Sequence, residues 1–346
     1  MKRKFIKAAW LRIDEQNFFK TKGDVASLLD NLSRAGIKML FPSVQNIKGE
    51  VIYKKSDHPL INFGNDFDQL EEIIHIAKLK NIEIHPWITI FNHGLSKWAK
   101  SHPSFIDKDR FGNFFDIKHV SKRIASKTAA FLCPSQKEVH DWAFTFIEEI
   151  INNYDVSGVH LDYVRYGEFF GWCKFCRKKH FQRTGCKLDK TIPGSPEWQS
   201  WISYKTENIN HFIYKVHNFT RNNSIKLSVA VFPRYPMCIE SVGQNWITWC
   251  QEGWVDFVVP MNYWGNWKKF NKYAAIHARV MNLGIPVIEG LSNSKSCSIN
   301  SVFRPLKTSA LLIKRAFKVK EMKFSGVSFF EVHGLTENEL KMISSI

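Results

Sequence analysis

No stretch of the 346 residues approaches the roughly 20 consecutive apolar positions of a membrane helix, so a bilayer-embedded chain is not expected. Cysteine is scarce. The seven present (Cys133, Cys173, Cys176, Cys186, Cys238, Cys250 and Cys297) are an odd number and too thinly spread for a disulfide scaffold. The basic start at 1–7 never develops the apolar region of an export signal before Arg12 and Asp14 intervene. Both features point to a reducing, cytoplasmic setting. Acidic residues are also short, 32 against 49 Lys+Arg, for a formal charge of +17. A polyanion partner would need that surplus gathered into a patch, yet the densest cluster is only Arg177-Lys178-Lys179. A generally Lys-rich composition is the simpler reading, and a nucleic-acid-binding protein is kept only as a lesser alternative. No Gly-rich phosphate loop follows the first apolar run, which weakens a dinucleotide-binding sheet.

What is present is a core: 44% of residues are hydrophobic, enough to exclude wholesale disorder. Eight short apolar runs occur, at 6–13, 37–44, 82–90, 158–163, 226–232, 255–263, 285–291 and 326–332. Amphipathic stretches that read as helices lie at 24–35, 67–80, 138–153, 201–221 and 309–321. Repeated strand-helix alternation predicts right-handed βαβ units and a parallel sheet. Eight units favour an α/β fold of the (β/α)8 TIM barrel type, as a single domain over 1–346. Long inserts at 92–130 and 167–198 follow the third and fourth strands, on the C-terminal face where barrels carry their chemistry.

Polar and aromatic residues at the C-terminal ends of the runs are therefore the candidates. They are Trp10, Arg12 and Asp14, then Gln45, then His85 and Trp87, then His160, Asp162, Arg165 and Tyr166. Arg234, then Asn262, Tyr263 and Trp264, then Glu289, then Glu331 and His333 complete the ring. Carboxylates among aromatics suit glycosidic bond cleavage, in which a carboxylic acid protonates the leaving oxygen while a carboxylate faces an oxocarbenium-like centre. The expected catalytic residues are Asp162, Glu331 and Glu289. The expected substrate contacts are Trp10, Arg12, Asp14, His85, Trp87, His160, Arg165, Tyr166, Asn262, Tyr263, Trp264 and His333.

Several segments resemble one family. VSGVHLDYVRY at 156–166 is similar to the DG(I/V)xxDYxRYP signature of bacterial glycosyl-hydrolase-like barrel proteins, glycosyl-hydrolase-like family 10 and its relatives. AGIKMLFPSV at 35–44, IHPWI at 84–88, LCPSQKEV at 132–139 and DFVVPMNY at 256–263 resemble further pieces of that family in the same order. Gly167 replaces the usual proline after the first of these motifs, and Ser157 an aspartate before Gly158. The resemblance implies a (β/α)8 barrel, glycoside hydrolase activity and bacterial polysaccharide or oligosaccharide substrates. It carries over Asp162 with Arg165 and Tyr166, His85 with Trp87, and Met261 with Asn262 and Tyr263. It fixes no second carboxylate, so Glu289 and Glu331 rest on position alone.

A carbohydrate-binding pseudoenzyme on the same barrel is the main alternative. The basic balance mildly favours anionic glycans. No cofactor is expected. Within the second insert, Cys173, Cys176, His180 and Cys186 are spaced nearly as in zinc knuckles, although packed free thiols or a disulfide is the preferred reading.

Overall fold

The computed structural model describes residues 5–64, 66–114, 130–292 and 309–346. Cys297 and part of the first insert lie outside them. The described residues form nine parallel strands: β1 (Ile6–Leu11), β2 (Met39–Pro42), β3 (Glu83–Ile84), β4 (Trp87–Thr89), β5 (Gly158–Asp162), β6 (Lys226–Val231), β7 (Phe257–Pro260), β8 (Ile288–Ser292) and β9 (Gly326–Phe330). They pair in the orders β3-β2-β1-β9-β8 and β4-β5-β6-β7. β3 and β4 are two halves of one stave, parted at His85-Pro86, because proline has no N–H to give the ladder. The Pro86 carbonyl still accepts from the His160 N–H at 2.9 Å. Bridges from Ser43 to Trp87 on one side, and from Val258 to Val287 and Met261 to Gly290 on the other, join the two sheets. Eight staves thus close into the expected (β/α)8 barrel.

Period-two alternation sorts the side chains. Ala8 and Trp10, Met39 and Phe41, Ala230, Phe257, Val259 and Ile288 fill the lumen. Their neighbours Ala9, Leu11, Leu40, Val159, Leu161, Val229, Val231, Val258 and Phe329 pack outward against the helices. Each such fully buried large aliphatic or aromatic side chain contributes about 1.5–3 kcal/mol. Gly158 opens β5 because His85 lies across the barrel there. A Cβ at 158 would stand 2.4 Å from the imidazole ring.

The helices are set by local signals. Thr21 and Asp24 form a capping box on Lys22–Arg34, and Asp68 caps Gln69–Leu79. The helix Lys174–Thr184 stops at Gly185, whose φ of 71° is glycine's left-handed region. Pro196–Asn222 begins earlier than its apolar stripe suggests, because Ser195 caps it and Pro196 opens its first turn. Trp267–Met281 is a helix that the apolar pattern alone did not reveal, its buried stripe of Phe270, Ala274 and Val280 being interrupted by His277. Among the described residues no helix is long and apolar enough to cross a membrane.

Candidate active site

Asp162 is the last residue of β5 and stands at the C-terminal rim, 7% exposed. Its Oδ2 accepts the Trp87 indole N–H at 3.2 Å, and its Oδ1 accepts the Tyr163 backbone N–H at 2.6 Å. The second bond requires a turned backbone: Tyr163 has φ of 54°, a conformation that costs a non-glycine residue about 1–3 kcal/mol. Burial raises the Asp162 pKa, while the charge of Arg165 and the two donated hydrogen bonds pull against it. Arg165 lies over the rings of Phe232, Tyr163 and Phe131 at 4.7, 4.8 and 5.2 Å.

Glu331 follows β9 directly. Arg12, just past β1, brings its Nε to 3.2 Å from Glu331 Oε2 and lies over the Phe330 ring. Burial raises the Glu331 pKa too, opposed by Arg12 and His333 and reinforced by Asp14. The exposed His333 donates from Nε2 to the Arg12 carbonyl at 2.9 Å, and Asp14 closes a turn by accepting the N–H groups of Gln16 and Asn17.

Aromatic rings link the two carboxylates. Trp87, which holds Asp162, packs edge-on to Phe330 at 6.0 Å, and Phe330 precedes Glu331. Tyr263 stacks on Phe330 at 5.3 Å, and Trp10 meets both from below. Asp162 and Glu331 therefore border one aromatic floor at the barrel mouth. Phe330 and Tyr163, which sequence reasoning did not single out, are part of it; each sits beside a flagged acid.

Other expected residues lie elsewhere. Glu289 is fully buried, its Oε1 accepting from Asn262 Nδ2 at 2.7 Å and both its oxygens within 3.0 Å of His277 Nδ1. His277 Nε2 donates to the Pro233 carbonyl at 2.9 Å. Glu289 and Asn262 thus face a sealed pair rather than the cleft, and the buried stripe position of His277 was the signal for it. His85 lies at the opposite end of the barrel, near Glu83 and Lys226, and burial holds its pKa below the usual imidazole value. His160 fills the lumen, stacked on Phe41 at 4.0 Å and bonded to Ser228 Oγ at 2.9 Å; burial drives its pKa well down. Trp10 is 2% exposed and serves as floor. Tyr166 is fully buried, its hydroxyl 2.8 Å from Ser135 Oγ. Trp264 stacks on Tyr273 at 5.7 Å. Gln45 donates to the Thr89 carbonyl, and Arg234 pairs with Glu168 at 2.6 Å.

The described cysteines are free thiols, and the knuckle-like spacing of Cys173, Cys176, His180 and Cys186 does not bring those four together. His180 bonds to Thr191 Oγ1 and Cys186 turns to the Lys187 carbonyl, so neither joins Cys173 and Cys176. Cys133 and Asp107 do, from distant points of the sequence.

The family model described as Glycosyl hydrolase-like 10 matches residues 5–303. An S-layer-related protein of Niallia circulans is 30% identical over 168 residues, 43% of this chain and 10% of that protein. Glycosyl hydrolase YngK of Bacillus subtilis (strain 168) is 20% identical over 272 residues, 70% of this chain and 49% of that protein. The chain thus spans a tenth and about half of the lengths of these two curated relatives. The PgaB (BpsB) glycoside hydrolase domain from Bordetella bronchiseptica shares the fold with a TM-score of 0.71 at 11% identity, covering 98% of each chain. The catalytic domain of a beta-amylase from Paenibacillus polymyxa does so at 0.65 and 12%, covering 99% of this chain and 97% of that one.

Proposed function

This chain belongs to the glycosyl hydrolase-like 10 family, and from that premise we propose that it is a glycoside hydrolase whose working carboxylates are Asp162 and Glu331. The observation that carries the proposal is their common setting: two buried acids, each with a raised pKa, that border one aromatic floor at the barrel mouth. Asp162 accepts hydrogen bonds from two neutral donors, the Trp87 indole and the Tyr163 backbone, and is the general acid, giving its proton to the leaving glycosidic oxygen. Glu331, beside the Arg12 guanidinium, is the carboxylate that answers the positive charge growing on the sugar. Trp87 and Tyr163 aim Asp162. The rings of Trp87, Tyr263 and Phe330 offer a flat apolar surface to a sugar, and Arg12, Asp14, Arg165 and His333 offer polar contacts around it.

Glu289, Asn262 and His277 act as positioning residues that brace β7 against β8. The hydrolase barrel is a single domain, and its substrate is a bacterial poly- or oligosaccharide. The formal charge of +17 supports an anionic glycan over a neutral one. A glycan panel with neutral and acidic polymers tests the reading. Asp162→Asn and Glu331→Gln should each lower kcat by roughly 10²–10⁴-fold while glycan affinity stays near the parental value. Turnover by either variant at the parental rate refutes the assignment. Tight glycan binding without turnover by the parent protein would establish the pseudoenzyme instead.

A further inference from the structure

We propose that Asp107, Cys133, Cys173 and Cys176 form a closed, structural zinc site that clips together the two long loops on the barrel's C-terminal face. This goes beyond the hydrolase reading and does not depend on it.

One donor atom from each of the four residues lies within 4.8 Å of every other, and all four are buried. The Cys133 and Cys176 sulfurs are 3.3 Å apart, and those of Cys173 and Cys133 3.6 Å. Thiolates around a tetrahedral zinc, each at about 2.3 Å, would be spaced by about 3.8 Å, so the sulfurs need to part by only a few tenths of an ångström. A disulfide would use two of the three thiols and leave the third beside a buried carboxylate.

Asp107 supplies an independent sign. Its Oδ1 accepts the Lys108 N–H at 2.7 Å, whereas its fully buried Oδ2 has no hydrogen-bond partner among the described residues. An unsatisfied buried carboxylate oxygen is costly, and a cation among the thiolates removes that cost. The backbone presents the ligands in the manner of a metal site. Asp107 and Cys133 flank the antiparallel Ile106–Leu132 bridge, with the Asp107 N–H on the Phe131 carbonyl and the Cys133 N–H on the Phe105 carbonyl. Cys173 stands at the N-cap position of the helix Lys174–Thr184 and Cys176 lies in its first turn, so the two sulfurs are presented together. Three thiolates and a carboxylate fill a tetrahedral shell and leave no open position for substrate.

The full-length protein, purified under reducing conditions, dialysed against zinc and then against buffer, should retain about one zinc per chain by mass spectrometry. Cobalt in place of zinc should give the intense thiolate-to-metal absorption of a sulfur-rich tetrahedral site. Cys176→Ser should abolish that absorption, and Cys238→Ser, outside the cluster, should leave it intact. Asp107→Asn, nearly isosteric, should weaken zinc by at least about tenfold against a chromophoric chelator, and it decides the matter if Cys176→Ser fails to fold. Absence of bound zinc and of the cobalt band, a mass two hydrogens light from a disulfide, or parental zinc affinity in either cluster variant would overturn the site.

Discussion

A carboxylate that ends a buried strand loses hydration, and at Asp162 that loss outweighs the nearby guanidinium and two donated hydrogen bonds. Its pKa is therefore higher in the folded than in the unfolded chain. Between those two values the folded state holds the extra proton, so stability falls as pH rises through the window and the deficit persists above it. Asp162→Asn removes the group that must ionise. It should raise Tm at pH 7, and the gain should fade as pH falls through about 4 and be gone by about pH 3, where both states are protonated. Thermal melts of both proteins across that range check this, and an Asn variant less stable than the parent at neutral pH would contradict it. Asp162 and Glu331 were legible in the sequence because each closes an apolar run. Glu289, His85 and His160 look equivalent there, since alternation assigns a side chain to a face of the sheet and not to a height along it. Height comes from the register between staves. Glu289 pairs with Val327, three residues below the Ser292–Phe330 rung that leads to Glu331, and His160 lies two residues below Asp162.

The elements carry the same distinction between pattern and partner. Eight apolar runs predicted eight staves, and the chain has them, with one stave broken by the proline already visible in IHPWI. The helix Trp267–Met281 escaped notice because His277 sits in its buried stripe; only the Glu289 and Pro233 oxygens across the interface explain a polar residue there. Likewise, the spacing of Cys173 and Cys176 was readable, whereas Cys133, some 40 residues upstream, joins them only through the fold. Gly158 illustrates a requirement local sequence does not explain: the ring crossing it belongs to His85 of another stave. Gly158→Ala should cost about 1–3 kcal/mol in urea unfolding, as overpacking does. His85→Ala in the same chain should recover part of that loss, because the two residues share one space. Strictly additive losses would show that the clash is not the cause.

At the scale of the whole molecule, the closed ring brings residues from β1, β4, β5 and β9 to one mouth: Arg12, Trp87, Asp162 and Glu331 come from widely separated parts of the chain. The two long loops rise from the neighbouring staves β4 and β5, so a clip between them would steady the backbone that carries Tyr163 and Arg165 beside the acid. The composition could not reveal which acids meet, because that follows from ring closure. The pH dependence of kcat/KM on a cleaved glycan tests the central pairing most directly. The parent should give a bell whose acid limb reports Glu331 losing its proton and whose alkaline limb reports Asp162 losing its own, both above the ordinary carboxylate range because burial raises both pKa values. Glu331→Gln should erase the acid limb, and Asp162→Asn, assayed on a glycoside with a good leaving group, the alkaline one. Both limbs surviving at the parental rate in either variant would contradict the account.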